Sequence, residues 1–191
     1  MSTAGARYVR LRDQDADLAR LRTQFGDGAV QSVPESSFAI VLVTTPSLQP
    51  DDLAALSRDF GEALSLQTQT IADLLVYDHF VAGARVRGLT YAGEAGWQRV
   101  FGEREPWEAQ MFFSSTRLEE LLLELDDETK GSTTLQRDSA ELRRLWSKAR
   151  LEEGNPRPTI ELRTVTRAIV AHFGLPGLPV GRPSSGKQRI P

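Results

Sequence analysis

The chain has 191 residues, enough for one domain with a buried core, and 40% hydrophobic and 26% charged residues are proportions typical of a globular fold. It has no cysteine, which excludes disulfides, thiolate metal sites and cysteine nucleophiles. The net charge is only −3, no apolar run reaches the ~18 residues of a membrane helix, and the start, MSTAGARYVRLRDQ, lacks the apolar core of a secretory signal, so a cytoplasmic address is expected.

In chain order, residues 1–6 read as a disordered start, and Tyr8 to Leu11 as a short edge strand. Asp13 is a good N-cap for a helix to about Phe25, with Leu18, Leu21 and Phe25 on one face and Gly26 as its stop. Ser36 to Thr45 is apolar and β-branched, which predicts a buried strand ended by Pro46. A helix is predicted over 47–64, with Asp51 and Asp52 in its first turn and Leu53, Leu56, Phe60 and Ala63 inward. Residues 64–70 alternate with period two. Leu74 to Val81 and Ala84 to Tyr91 then form a hairpin around Ala82-Gly83, and Trp97 to Phe101 gives one more strand. Helices are predicted from Thr116 (Leu118, Leu121, Leu122 and Leu125 inward), over 137–151 (Leu142, Leu145, Trp146 and Ala149 inward) and from Thr164 to Phe173. The Pro-, Gly- and Ser-rich stretch 177–191 reads as a flexible tail.

The expected fold is therefore α+β: an antiparallel or mixed sheet of about 4–5 strands with helices packed on it and a helical C-terminal half. One domain spans 7–176, its sheet part about 7–113 and its helical part about 116–174.

The charges argue against a nucleic-acid groove. Six of the 23 bases lie in the acid-free ends 1–12 and 177–191, so the body, with all 26 acids, sums to −9. The helix over 137–151 carries Arg137, Arg143, Arg144, Lys148 and Arg150, but acids on and around it make a charge-mixed solvated face the simpler reading. With 20 arginines to 3 lysines, a bacterial source is expected.

Three chemistries lack the full pattern they need. Gly181 to Lys187 reads GRPSSGK, the spacing of a phosphate loop, but Gln188 stands where Ser or Thr should hold magnesium and no helix can follow. Only His79 and His172 could act as imidazole ligands and no H-E-x-x-H spacing occurs, so no metal and no cofactor is expected. No G-x-S-x-G motif marks a serine nucleophile. No catalytic residue is assigned.

The hairpin carries more information. A two-residue loop pairs 81 with 84 and, by counting, Asp78 with Arg87, His79 with Val86 and Tyr77 with Gly88. Asp78 and Arg87 then form a cross-strand ion pair, or a polar pocket with His79, although Asp78 and His79 point to opposite faces and cannot form a simple dyad. After it, Trp97, Arg99, Trp107 and Glu108 crowd a segment rich in tryptophan, arginine and glutamate. These residues read either as a loop tucked onto the core or as a binding rim with aromatic anchors.

The block Tyr77 to Glu108, YDHFVAGARVRGLTYAGEAGWQRVFGEREPWE, resembles a pattern in small uncharacterised bacterial proteins: an aromatic strand, a tight Gly turn, V-R-x-L-x-Y, then W-x-R-V-x-G-x-x-x-P-W-E. That resemblance covers about a sixth of the chain and implies a bacterial α+β sheet without an activity. The function expected is protein–protein interaction in a bacterial cytoplasm, without catalysis, through Asp78, Arg87, Tyr91, Trp97, Arg99, Trp107 and Glu108. The alternatives are a small-ligand binder or enzyme using a polar pocket at the 74–91 hairpin, and a weak nucleic-acid binder through 137–151. In the tail, Leu178-Pro179-Val180-Gly181 resembles the C-terminal peptides that load cargo into bacterial encapsulin shells.

Overall fold

The computed structural model describes residues 3–42, 50–128, 134–155 and 161–177. The tail beyond Gly177, with its phosphate-loop spacing and Leu178-Pro179-Val180-Gly181 run, lies outside them, as do Pro46 and residues 156–160. Seven strands form one antiparallel sheet: β1 (Thr3–Arg10), β2 (Val30–Ser32), β3 (Phe38–Val41), β4 (Glu62–Gln69), β5 (Leu74–Val81), β6 (Ala84–Ala92) and β7 (Gly96–Gly102), in the order β2-β3-β1-β4-β5-β6-β7. Among the described residues there are six α-helices: α1 (Gln14–Phe25), α2 (Pro50–Phe60), α3 (Pro106–Phe112), α4 (Ser115–Glu128), α5 (Thr134–Lys148) and α6 (Leu162–Phe173).

The α+β class and the antiparallel pairing are as expected, but the sheet has seven strands rather than four or five. The second half of the chain is also not simply helical, since it contains β7. The strand with no expected counterpart is β2, only three residues long, and residues 3–6, expected to be disordered, extend β1. Residues 3–6 belong to β1, which is central and pairs with β3 on one side and β4 on the other. Residues 3–6 themselves pair with β4 alone, Thr3 with Gln69 through Ala6 with Leu66, and this one ladder holds a segment (Thr3, Ala4, Gly5) that carries no strand signal in the sequence.

Local rules account for most boundaries. Asp13 accepts the N–H of Ala16 as N-cap of α1, and the N–H of Gly26 closes its end on Arg22. α2 stops at Phe60, short of Leu64, because Gly61 turns into the left-handed region at φ +95 and the period-two run begins at Glu62. α3 was not expected as a helix. Its signal is Pro106 in the first turn with Glu108 behind Glu105, whose backbone N–H donates to Glu108 Oε1 at 2.9 Å.

Period-two alternation divides the core. Tyr8, Ile40, Leu64, Leu66, Leu75, Tyr77, Leu89, Tyr91 and Trp97 face α3 and α6, whose Trp107, Phe112, Val165 and Ile169 cover them. Val9, Ala39, Val41, Ala63 and Phe80 face α1 and α2. A third cluster, Leu121, Leu125, Leu142, Leu145 and Trp146, joins α4 and α5 into a helical hairpin. The edge of β7 is covered by the segment after α5: Trp97 N–H donates to Asn155 O at 3.2 Å, Gly154 N–H to Trp97 O at 2.8 Å, and Val100 N–H to the Glu153 carboxylate at 2.9 Å.

The turn Ala82-Gly83 is where the count placed it, both residues at positive φ, but the register beyond it differs. Phe80 pairs with Arg85 and His79 with Arg87, so Val86 is an extra residue, a bulge on β6. One extra residue reverses the faces of everything after it. Asp78 therefore opposes Gly88, Tyr77 opposes Leu89, and Arg87 shares a face with His79. The bulge also fixes a requirement at Gly102: its φ is +82, and a Cβ there would sit 1.9 Å from Val86 O. Gly102→Ala is expected to lower stability by about 1–3 kcal/mol, the scale of one strained backbone position. An unchanged urea midpoint would contradict the bulge.

Candidate functional site

The predicted site residues divide between the two faces of the sheet. Asp78 and Arg99 lie on the side of α1 and α2. Arg87, Tyr91, Trp97, Trp107 and Glu108 lie on the opposite side, in the core. The expected Asp78–Arg87 pair does not form, because the Val86 bulge turns Arg87 away. With it goes the pocket drawn around those two side chains.

The buried side holds a chain of alternating charges that crosses the sheet. Arg87 is 2% exposed and Glu108 fully buried. Arg87 Nε donates to Glu108 Oε1 at 2.8 Å and Arg87 Nη2 to Oε2 at 2.5 Å, while Nη1 donates to the carbonyls of Phe101 and Gly102. This is the two-pronged geometry in which guanidinium matches carboxylate best. Burial pushes the Glu108 carboxyl up, against the opposing pull of Arg87.

Beside this pair, His79 on β5 lies between two carboxylates: Nδ1 is 2.5 Å from Glu105 Oε1 and Nε2 3.1 Å from Glu62 Oε1. Glu62 also takes the Arg10 guanidinium, which stacks over Phe38. Glu105 accepts the Tyr77 hydroxyl at 2.7 Å and Trp107 Nε1 at 2.6 Å. Phe173, the last residue of α6, packs edge-on against the imidazole at 5.2 Å.

Burial disfavours the charged imidazole, but the hydrogen bonds and charges of Glu105 and Glu62 outweigh it and push the His79 pKa up to about 9. Burial would likewise raise both carboxyls. Bonds from His79 and Arg10 to Glu62, and from His79, Tyr77 and Trp107 to Glu105, bring each below its ordinary value. Burial and the nearby Glu105 carboxylate push the Tyr77 hydroxyl well up. With His79 protonated, three cations, Arg10, His79 and Arg87, match three anions, Glu62, Glu105 and Glu108. Sequence reasoning missed Glu62 and Glu105 as members of this chain. The signal for Glu62 is its period-two phase with Leu64 and Leu66. That for Glu105 is its place just before Pro106.

The aromatic residues expected as rim anchors pack here instead. Trp97 meets Tyr91 and Phe112 edge-to-face at 5.2 and 5.3 Å, and Trp107 meets Tyr77 and Phe112 at 5.7 Å each. Edge-to-face pairs of this kind add to burial, and a core is where they contribute most.

On the other side, α1 and α2 lie over the first strands and the turn of the β5–β6 hairpin. No described helix covers the rest of β5, β6 and β7. Arg99 Nη2 is 3.0 Å from both oxygens of Asp78, and Arg85 Nε lies 3.4 Å from Oδ1. Arg85 stands over the rings of Phe80 and Phe101. The Nε atoms of Arg85 and Arg99 are buried without a hydrogen-bond partner, and Phe101 is 47% exposed beside them. Gly88 makes room for this grouping, since a Cβ there would lie 3.0 Å from Asp78 Oδ1. Burial pushes the Asp78 carboxyl up, against Arg99 and Arg85.

A cleft of about 580 Å³ opens at the edge of β7, lined by Val100, Lys148, Arg150, Leu151, Glu152 and Glu153. Glu152 is held there by Arg144 at 2.6 Å and lies 3.5 Å from Lys148, while Glu153 holds Val100 N–H. Among the described residues no helix is long and apolar enough to cross a membrane, and no group of three His, Asp or Glu side chains has a metal-binding arrangement.

The class these observations define is an α+β sheet protein whose strongest polar groups are engaged with one another inside the fold. Comparison with known proteins gives no match: no family model, no curated protein and no solved structure matches the chain.

Proposed function

We propose that the chain acts by binding another protein through the open face of β5–β7, without catalysis, in a bacterial cytoplasm. The observation that carries this reading is Phe101, 47% exposed beside Arg85 and Arg99 on a sheet face that no described helix covers. An aromatic ring next to guanidinium groups is the combination that dominates binding energy at protein interfaces. Of the residues expected from sequence, Asp78 and Arg99 belong to this face. The other five support the fold beneath it.

The competing readings have less support. A ligand pocket at the hairpin stood on Asp78 and Arg87 facing one another. Nucleic-acid binding through α5 needs its cations, and there Arg144 is held by Glu141 and Glu152 while Lys148 lies against Glu152.

A photoreactive phenylalanine analogue at position 101, in the full chain expressed in the cells that make it, tests the proposal. Light should yield a discrete covalent adduct from position 101 and none from position 19, on the exposed side of α1. If position 101 yields no more than position 19, the proposal fails.

A further inference from the structure

We infer that the open face is one half of a self-complementary contact, the other half being the acidic helix α4 of a second copy of this chain. The inference rests on the interface reading above and names its occupant. The face presents two guanidinium groups, Arg85 and Arg99, against one carboxylate, Asp78, beside the exposed ring of Phe101. One surplus positive charge next to an apolar ring fits a carboxylate carried close to an apolar side chain.

The chain itself displays that pairing. On α4, Leu118, Leu121, Leu122 and Leu125 turn toward α5, while Leu123 points outward and is 69% exposed. Glu119, one turn before Leu123, and Asp126, three residues after it, flank it on the same exposed side. Arg117 is occupied one row away, 2.8 Å from Glu120 and 3.7 Å from Glu124. An isolated exposed leucine is ordinary, but a leucine set between carboxylates matches an exposed phenylalanine set beside arginines.

Placement makes the match reciprocal. The segment after α5 lies along the edge of β7, tied by Trp97, Val100 and the bond from Arg104 to Ala149 O at 2.9 Å. The α4–α5 hairpin thus hangs from the same edge at which the open face ends. A two-fold axis beside β7 brings each α4 to the other copy's face, and two identical contacts close the assembly.

Sedimentation equilibrium of the full chain over about 1–500 µM, the range of a weak specific contact, tests this. A reversible monomer–dimer equilibrium is expected, tighter at low salt. Phe101→Glu, which leaves Asp78 and both arginines in place, and the double variant Glu119→Lys with Asp126→Lys should each weaken dimerisation about tenfold or more. Mixed in equal amounts, the two variants should form a heterodimer, because the reversed charges now face one another. Arg99→Glu repeats the test where circular dichroism shows it folded. A monomer throughout, association that neither variant weakens, or a mixture that stays monomeric overturns the inference. An adduct from position 101 to a different protein overturns it while leaving the interface reading standing. No adduct overturns both.

Discussion

Arg87→Met is expected to destabilise the protein by about 3–5 kcal/mol at neutral pH, the cost of stranding one member of a buried ion pair. The substitution removes both bonds to Glu108 and the donor shared by the Phe101 and Gly102 carbonyls. Glu108 would remain fully buried with the N–H of Glu105 as its one hydrogen-bond partner among the described residues. Because burial already pushes this carboxyl up, Glu108 should take up a proton in the variant, so the deficit should shrink as pH falls. The double variant Arg87→Met with Glu108→Gln keeps an oxygen for the Glu105 N–H and removes the charge, and it should be more stable than Arg87→Met alone. Urea denaturation of the four proteins in a double-mutant cycle measures this. A loss under about 1 kcal/mol for Arg87→Met would mean that the pair is solvated and not part of the core.

That pair also marks where sequence reasoning stops. Strands β3 to β7, the turn at Ala82-Gly83 and the inward faces of α1, α4, α5 and α6 were legible, because each is set by local periodicity, caps and turn residues. The register of the hairpin was not. A bulge at Val86 leaves no trace in the alternation of a strand that reads Ala-Arg-Val-Arg-Gly-Leu, yet it decides which arginine is buried. Arg85 and Arg87 are chemically identical in the sequence. One ends over Phe80 and Phe101 on the open face, the other in the core. For the same reason the tryptophans could be assigned to packing or to a rim but not to one of them. Their fate depends on α3, a seven-residue helix announced only by Glu105, Pro106 and Glu108. The first residues of β1 were illegible for another reason: residues 3–6 are held by their pairing with β4 and carry no signal of their own.

The second large effect is a fall in stability on the alkaline side, carried by His79. Its folded-state pKa of about 9 lies above the ordinary value of 6.5, so the folded protein holds the proton more tightly than the unfolded chain does. Stability from this group is complete below about pH 6.5 and is lost as pH rises through about 9; at one pKa unit per ~1.4 kcal/mol, the loss is about 3–4 kcal/mol. The groups facing the imidazole do not reverse the sign in that window. Glu62 and Glu105 have lowered pKa values, so their contribution is present above the ordinary carboxyl range and is lost only in acid. Tyr8, which burial pushes up to about 12, adds a further loss only above about pH 10. Raising the pH should therefore remove the charge that joins β4 and β5 to the start of α3, leaving Glu62 and Glu105 close together around a neutral ring. His79→Gln can donate to one carboxylate but cannot carry the charge. It should be less stable than the parent protein at pH 6 and should lose the slope between pH 6.5 and 9.5. Guanidinium denaturation across that range separates the cases. A parent protein equally stable at pH 6 and 9.5, or a His79→Gln variant that keeps the slope, would show that His79 is not the charge holding the two carboxylates together.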